Sequence, residues 1–375
     1  MDSNPNRPGP PQSPNFLELN SLRGRDTNRV QMVFRLKIIP LEQEIEVARD
    51  YLNERSLQVG HIHPLNEKLC SEYFPSDKSY LVLQGKRPVA MFSYHPGIHK
   101  AVTLARFRIV MDSKLGLKEA LKAIEETAVA QERFIVRTTV FGYAKERLQA
   151  LRAFGYRIGA SLPETVSLNG QRFDYHFVYK DLTGRYRFQV RRSYAKPGLY
   201  PSVQVAKAIA TKLKVRGYRP EDRAGLDKFV VHPMVIRGIG SGLFEGLYPW
   251  TPGTYQQMVD AGRVYPIVCE DEAASEPVGI LDLFRQPADV MQHSMSLGMY
   301  VKPEYQGIGV GTMLLENMRT LAKRLHLSRV WLSVFEGNTP AEHLYKKTGF
   351  VECGKVPGWL QEGYVSEVFM TLRLG

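Results

Sequence analysis

The sequence predicts two mixed α/β domains, each a mostly antiparallel sheet flanked by helices. Three observations lead to this fold class. The chain has 375 residues, 43% of them hydrophobic, which is more than one hydrophobic core usually organises. Strand-like alternation and helix-like spacing of apolar residues occur in the same order twice. A strand followed by a helix start appears near residue 33 and again near residue 213.

The first copy begins with the alternating run at residues 33–38, after which Pro40 can open a helix. Hydrophobic periodicity then predicts a strand hairpin, a long strand, a helix, a strand, a short helix and a terminal strand pair. Their limits are 80–83, 89–94, 102–110, 117–130, 134–140, 144–154 and 173–179.

The second copy begins at residues 213–219, where alternation leads into Pro220 and a second helix start. The same series of elements follows, with limits at 264–270, 277–284, 291–301, 309–325, 329–334, 340–348 and 365–374. Each short helix ends in a glycine–aromatic pair, Gly155-Tyr156 or Gly349-Phe350. This repetition indicates an internal duplication with a period of about 190 residues.

The duplication gives the expected domain limits: a tail at 1–30, a first domain at 31–182, a connection at 183–211 and a second domain at 212–375. The tail is rich in proline and poor in large apolar groups, so it cannot bury enough surface to offset its ordering entropy and is expected to be disordered. A strand-like stretch of the connection, at 185–196, carries five basic residues, Arg185, Arg187, Arg191, Arg192 and Lys196.

Composition limits the functional classes. There is no run of about 18 apolar residues and no secretion signal near the N-terminus, so we expect a cytoplasmic protein without membrane contact. Cys70, Cys269 and Cys353 lack metal-ligand spacing, which predicts reduced thiols and no metal site. The net charge of +12 favours a nucleic acid, an acidic surface or a phosphate-rich cofactor as partner, and does not choose among them. The oligomeric state stays open.

The most informative segment is a glycine-rich loop between a predicted strand and an amphipathic helix. Glycines at alternate positions let backbone N–H groups converge before a helix N-terminus, where peptide dipoles favour an anion. The segment therefore predicts a pyrophosphate site, with a merely flexible turn as the alternative. A Walker loop is excluded because no Gly-Lys-Ser/Thr follows, and a Rossmann fingerprint is disfavoured by its position. The candidate residues are Gln306, Gly307, Ile308, Gly309, Val310, Gly311 and Thr312.

Two motifs resemble those of the GNAT superfamily of acetyl-CoA-dependent acyltransferases. Val301, Pro303 and the glycine loop resemble its motif A, and residues 338–350 resemble its motif B at the usual distance. The resemblance covers residues 212–375. It implies acetyl-CoA as cosubstrate and transfer of an acetyl group to a primary amine of a small molecule or peptide, by direct attack in a ternary complex.

The resemblance also assigns roles to residues. The strand before the loop is expected to part from the next strand and to offer main-chain groups from Met299 to Val301, across Tyr300, to the pantetheine arm. Asn338 would cap the short helix or bond that arm. Tyr345 would donate a proton to the departing sulfur, and a packed helix tyrosine is the alternative.

The general base is less clearly indicated. His293 lies 13 residues before Gln306, the spacing at which histone-type members of the superfamily carry their strand glutamate, and histidine has a suitable pKa. A solvated strand-end histidine is the alternative. Asp282 and Glu336 are rival bases, and a water relay would also serve.

The first copy lacks the residues that carry this resemblance. Aligning Val110 with Val301 places residues 115–120 where the loop should be, and they keep one glycine of three. Ala144 and Leu151 stand where the second motif has its asparagine and tyrosine. We therefore expect the first domain to have a structural or substrate-shaping role and not to form a second active site.

Other functions remain open at this stage. The glycine-dense stretch 237–250 could form a mobile acceptor wall with Phe244, Tyr248 and Trp250, or a merely flexible loop. The basic connection permits action on RNA or aminoacyl-tRNA, although a solvated strand face is the preferred interpretation. A non-catalytic acyl-CoA-binding regulator is the third class. The net positive field favours neutral or acidic acceptors over polyamines.

Overall fold

The computed structural model of the chain describes residues 36–95, 104–112, 114–182, 212–230, 252–357 and 366–375. The tail at 1–30, the connection at 183–211 and the glycine-dense stretch at 237–250 lie outside the described residues.

The described strands form one fourteen-stranded sheet. The strands of the first half are β1 Leu36–Pro40, β2 Ser79–Gln84, β3 Arg87–His95, β4 Leu104–Met111, β5 Ile135–Phe141, β6 Arg157–Leu168 and β7 Gln171–Asp181. Those of the second half are β8 Leu213–Gly217, β9 Val264–Asp271, β10 Glu276–Arg285, β11 Ser294–Val301, β12 Arg329–Phe335, β13 Val351–Val356 and β14 Glu367–Arg373.

The order of the strands repeats between the halves. The first half runs β1-β2-β3-β4-β5-β7-β6, and the second half continues in the reverse sense as β13-β14-β12-β11-β10-β9-β8. Each half has one parallel pair, β4 with β5 or β11 with β12, and the remaining described pairs are antiparallel. The mixed α/β, mostly antiparallel fold class predicted from the sequence is confirmed.

The eight described helices are α1 Ile45–Asn53, α2 Glu67–Tyr73, α3 Lys114–Ala130, α4 Lys145–Ala153, α5 Asp222–Val230, α6 Pro252–Asp260, α7 Val310–Arg324 and α8 Thr339–Lys347. Six of them lie close to their predicted positions, and α2 and α6 were not predicted from the sequence. Pro40 ends β1 and is followed by a short 3-10 turn before α1. No helix among the described residues is long and apolar enough to cross a bilayer.

Each long helix crosses between the two parallel strands of its half and packs on the sheet, because parallel neighbours require a crossover connection. The buried side chains of each helix recur at three- and four-residue spacing and face the sheet. In α7 they are Val310, Leu314, Leu315, Met318 and Ala322. In α3 they include Leu117, Ala120, Leu121, Ile124 and Ala128.

The crossover before the helix differs between the halves. In the first half β4 ends at Met111 and α3 begins at Lys114, so residues 115–120 are helical and form no loop. A Cβ on Gly116 would lie 2.8 Å from the Val89 carbonyl oxygen, so this glycine permits close packing of α3 on β3. Residues 115–120, which the sequence alignment placed at the position of the phosphate loop, therefore belong to the first turns of α3 and form no such loop.

The two halves meet where β6 pairs with β13 through Ala160 and Gly354. Gly354 has φ +128, and a Cβ there would lie 2.3 Å from the Gly159 carbonyl oxygen. Only glycine allows this approach. Beside it, the Phe177 and Phe369 rings stack with centroids 3.9 Å apart.

A buried ion pair also joins the halves. The Arg137 guanidinium on β5 donates to the Glu367 carboxylate on β14 at 2.6 Å, and the side chains are 2% and 1% exposed. A charge in such a place is stabilised by its partner, and removing one partner costs far more than losing a surface pair.

We expect Glu367→Ala to lower the free energy of unfolding by about 3 kcal/mol, because it removes this counter-charge from the buried guanidinium. Urea denaturation would measure the change. The double variant Arg137→Met/Glu367→Leu should recover much of it. Asp77→Ala, which removes the exposed partner of Lys78, is the control and should stay within about 0.5 kcal/mol of the wild type. An equally small loss of unfolding free energy in Glu367→Ala and in Asp77→Ala would contradict the prediction.

Candidate functional site

Two parallel strands part at the centre of the second half. β11 pairs with β12 only over Ser294 to Ser296, opposite Arg329 to Trp331, among the described residues. Beyond this point β10 holds β11 as far as Val301, and β14 holds β12 as far as Phe335. The gap between the strands therefore exposes main-chain groups that can pair with an extended ligand. Met299, Tyr300 and Val301 lie on its β11 side, as the sequence predicted.

The glycine loop closes the wide end of this gap. Gly307 and Gly309 have φ +78 and φ +98, which favour glycine, and Gly309 is the N-cap of α7. A Cβ on Gly309 would meet no heavy atom of the described residues within 4 Å. The first-turn N–H groups of α7 have no intrahelical acceptor, so the loop presents donors and the positive end of the helix dipole to open space. This arrangement fits a pyrophosphate.

Buried contacts hold the loop in this shape. The Gln306 side-chain amide donates to the Val301 carbonyl oxygen at 3.0 Å. The Tyr305 hydroxyl donates to Asp271 Oδ2 at 2.9 Å. Val310 is buried against the sheet, while Ile308 packs at the edge of the same core. Anion binding would therefore come from backbone amides on a fixed frame.

The two sequence motifs meet at Gly311. A Cβ on this residue would lie 2.6 Å from Leu344 Cδ2 and 3.5 Å from Met299 Cε. Glycine here allows α8 to pack directly on the first turn of α7 and beside β11. Thr312, the next residue, is half-buried in the same turn. The structure thus brings the loop, β11 and α8 together, which the spacing of the motifs alone did not establish.

Asn338 caps α8. Its Oδ1 accepts a hydrogen bond from the Ala341 N–H at 3.4 Å, and the Glu342 carboxylate accepts one from the Gly337 N–H at 3.0 Å. The two side chains accept hydrogen bonds from backbone N–H groups within and before the first turn, and so fix the start of the helix. The capping role proposed from the sequence is therefore present in the structure.

Tyr345 lies in the core between α8 and the sheet. Its ring meets the Phe350 ring edge-on, with centroids 5.6 Å apart. Burial raises the pKa of the phenol above its ordinary value, so the group stays protonated at neutral pH. Among the described residues no hydrogen bond to the Tyr345 hydroxyl is formed. A protonated, uncommitted phenol is suited to donate a proton.

His293 lies at the opposite end of β11 from the loop. It precedes the first residue of the strand, so about 26 Å of extended chain separates it from Val301. Its Nε2 is 3.1 Å from the Glu164 backbone oxygen in the first half. Burial lowers the pKa of His293. These contacts place His293 at the junction of the halves and do not bring it to the gap.

The rival bases have different surroundings. Glu336 accepts a hydrogen bond from Lys355 Nζ at 2.7 Å and is engaged in that ion pair. Asp282 lies on β10 opposite Gly298 and accepts a hydrogen bond from the Tyr255 hydroxyl at 2.6 Å. Sequence spacing gave no sign of this tyrosine, since 27 residues separate the two. No cluster of three or more potential metal ligands occurs among the described residues.

Part of the chain is similar to known proteins. Residues 234–350 match the model of the Acetyltransferase (GNAT) family. The chain is 34% identical over 67 residues to streptothricin acetyltransferase of Streptomyces lavendulae, a match that covers 18% of this chain and 35% of the relative. It is 31% identical over 74 residues to the thialysine N-epsilon-acetyltransferase of Mus musculus, covering 20% of this chain and 44% of the relative. The chain thus spans less than half the length of the curated relatives it matches.

Solved structures are similar to less than half of the chain. A GNAT-family acetyltransferase from Streptococcus pneumoniae aligns with 44% of this chain and 100% of its own, at 23% identity and a TM-score of 0.39. A Salmonella typhimurium protein solved with acetyl-CoA as its cofactor aligns with 44% of this chain and 94% of its own, at 19% identity and a TM-score of 0.36. The family match and the motif residues lie on the same segment, so residues 234–350 belong to a domain of the acetyltransferase (GNAT) family.

Proposed function

We propose that the chain is an acetyl-CoA-dependent N-acetyltransferase that acetylates a primary amine of a small molecule or peptide in a ternary complex. The observation that carries this proposal is the glycine loop at the wide end of the gap between β11 and β12. The relatives named as acetyltransferases of streptothricin and thialysine support the same reaction class.

Acetyl-CoA fits the described site at both of its polar parts. The N–H groups of the loop and the dipole of α7 would hold the pyrophosphate. The β11 main chain from Met299 to Val301 would pair with the pantetheine amides in the gap. The cosubstrate supplies the acetyl thioester, and this chain's residues fix its direction along β11.

Tyr345 is proposed as the proton donor to the leaving sulfur. Packing of α8 on Gly311 places this helix beside β11 and the loop. The raised pKa of the phenol keeps the proton available at neutral pH. Asn338 serves this arrangement by fixing the start of α8.

We further propose that the chain is a tandem of two GNAT-like domains, at 31–182 and 212–375, of which only the second is active. The repeated strand order supports the tandem. In the first half α3 begins three residues after β4 ends, which leaves no room for a phosphate loop. The N-cap Ala144 forms no side-chain cap, and Leu151 is fully buried where the second half has Tyr345.

We expect calorimetric titration to show one acetyl-CoA bound per chain, and Gly309→Glu to abolish binding. The added carboxylate would occupy the space before the α7 N-terminus, repel the pyrophosphate and strain a residue at φ +98.

Gly170→Glu is the matched control for this titration. Gly170 also has a positive φ, +76, and within the described ranges a Cβ on it would likewise meet no heavy atom within 4 Å, but it lies in the β6–β7 turn of the first half. Its variant should bind acetyl-CoA as the wild type does. Two bound molecules per chain would contradict the inactive first half, and no binding to the wild type would contradict the proposed function.

Tyr345→Phe should lower kcat by 10²- to 10⁴-fold, the usual contribution of a general acid, with the acetyl-CoA Kd unchanged. A screen of primary amines that includes thialysine and streptothricin would supply the acceptor for this assay. Tyr94→Phe is the control, since Tyr94 is another buried tyrosine without a hydroxyl partner among the described residues. An unchanged kcat for Tyr345→Phe would remove this residue from the mechanism.

A further inference from the structure

We propose that Asp282 is the group that accepts the proton of the attacking ammonium, and that Tyr255 holds its carboxylate in place. The proposal rests on the proposed N-acetyltransferase function and deepens it by assigning the base. Three independent features of the described structure lead to it: the face of the sheet on which Asp282 lies, its position along the gap, and the unpaired polar group opposite.

Asp282 lies on the face of the sheet opposite α7. Its neighbours Leu281 and Leu283 belong to the core beneath α7. Ile280 and Phe284 alternate with them and pack against Tyr255 and the other buried residues of α5 and α6. Asp282 has the same parity and is 4% exposed. Asp282 is therefore a buried carboxylate between two apolar side chains of the same face, those of Ile280 and Phe284.

The position along the gap is equally specific. Asp282 is the register partner of Gly298, two residues beyond Ser296, where β11 and β12 cease to pair. Gly298 has no side chain to cover the carboxylate on that face. From Gly298 to Val301 is about 10 Å of strand. A pantetheine arm that starts at the loop and follows β11 would bring its acetyl end toward Gly298.

The opposite side of the gap presents an unsatisfied polar group. Ser333 Oγ is buried and has no hydrogen-bond partner among the described residues. Ser333 lies on β12 beyond Trp331, the last residue of this strand that pairs with β11. Its parity is opposite to that of Leu332 and Val334 in the core beneath α7, so it is on the face of Asp282. An unpaired buried hydroxyl is costly in a folded protein, so its position beside the gap points to a polar ligand.

The charged and titratable groups that face Asp282 come from α5, α6 and the segment before them. The Tyr255 hydroxyl on α6 donates to Asp282 Oδ1 at 2.6 Å. Arg223 on α5 lies over the Tyr255 ring at 4.9 Å, and the Tyr218 ring meets it edge-on at 5.4 Å. Burial raises the pKa of Asp282 to about 7, against the opposing effects of the Tyr255 hydrogen bond and the Arg223 charge. Such a carboxylate exchanges protons near neutral pH.

The proton balance of the reaction is complete with two residues. Asp282 takes one proton from the ammonium of the acceptor, and the free amine then attacks the thioester carbonyl carbon. The C–N bond forms and the C–S bond breaks. Tyr345 gives its proton to the sulfur and regains one from the acylated nitrogen. The products are the amide, free CoA thiol and the proton on Asp282, which passes to water.

The test is the pH dependence of kcat/KM with acetyl-CoA and the primary amine that the screen selects. The wild type should show an ascending limb near pH 7, because Asp282 must be ionised to accept a proton. Asp282→Asn should lose that limb and 10²- to 10⁴-fold of kcat, with acetyl-CoA binding unchanged. Tyr255→Phe should move the limb to higher pH, since the lost hydrogen bond had stabilised the carboxylate.

Glu125→Gln is the matched control. Glu125 also accepts a hydrogen bond from a tyrosine hydroxyl, that of Tyr156 at 3.0 Å, but lies in the first half. Its profile should equal that of the wild type. An unchanged limb in Asp282→Asn, or a limb lost in His293→Gln instead, would overturn the proposal. Failure of the wild type to bind acetyl-CoA would contradict the proposed function itself. A wrong base assignment and a wrong function can therefore be told apart.

A second measurement needs no acceptor. The folded protein keeps the Asp282 proton at higher pH than the unfolded chain does, so the contribution of this group to stability is present at low pH and is lost as pH rises through about 7. Asp282→Asn should therefore raise Tm relative to the wild type at pH 8, and the difference should shrink toward pH 4. A constant Tm difference across this range would contradict a titrating buried carboxylate.

Discussion

The parting of β11 from β12 after three shared residue pairs is the constraint on which the site depends. Parallel strands joined by a crossover helix would normally stay paired. Here β10 and β14 pair with the outer edges of the two strands, so each strand keeps a partner where the two part. The α7 N-terminus lies at the wide end of the gap and Gly298 near its apex. In the proposed function, an extended, negatively charged cosubstrate would meet main-chain groups and a helix dipole that are already in place.

The two halves share a topology, but they make different contributions to the structure around the gap. The parallel pair β4 and β5 also parts after three residue pairs, yet α3 follows β4 at once and no loop intervenes. The first half instead supplies the buried Arg137 that pairs with Glu367 and the strand that continues the sheet across Gly354. Its contribution is to fix the position of β14, and through it of β12, at the edge of the gap.

On the proposed acceptor side of the gap, polar groups that would serve activity lower the stability of the fold. A buried carboxylate at Asp282 and an unpaired hydroxyl on Ser333 each cost folding free energy. The larger apolar core beneath α7, on the other face of the same strands, offsets such costs. One face of the sheet thus stabilises the domain, and the other carries the groups proposed to take part in the reaction.

The sequence by itself determined the order of the elements, the fold class and the glycine loop, because hydrophobic periodicity and left-handed glycines are local properties of the chain. It predicted the helix cap at Asn338 and named Tyr345 as a candidate proton donor. Only the tertiary structure decided which carboxylate meets the gap. His293 and Asp282 could not be ranked from spacing, since strand register and the Tyr255 contact across 27 residues set their surroundings. The tertiary structure also decided that both halves join into one sheet. This joining depends on close packing at Gly354, which hydrophobic periodicity cannot predict.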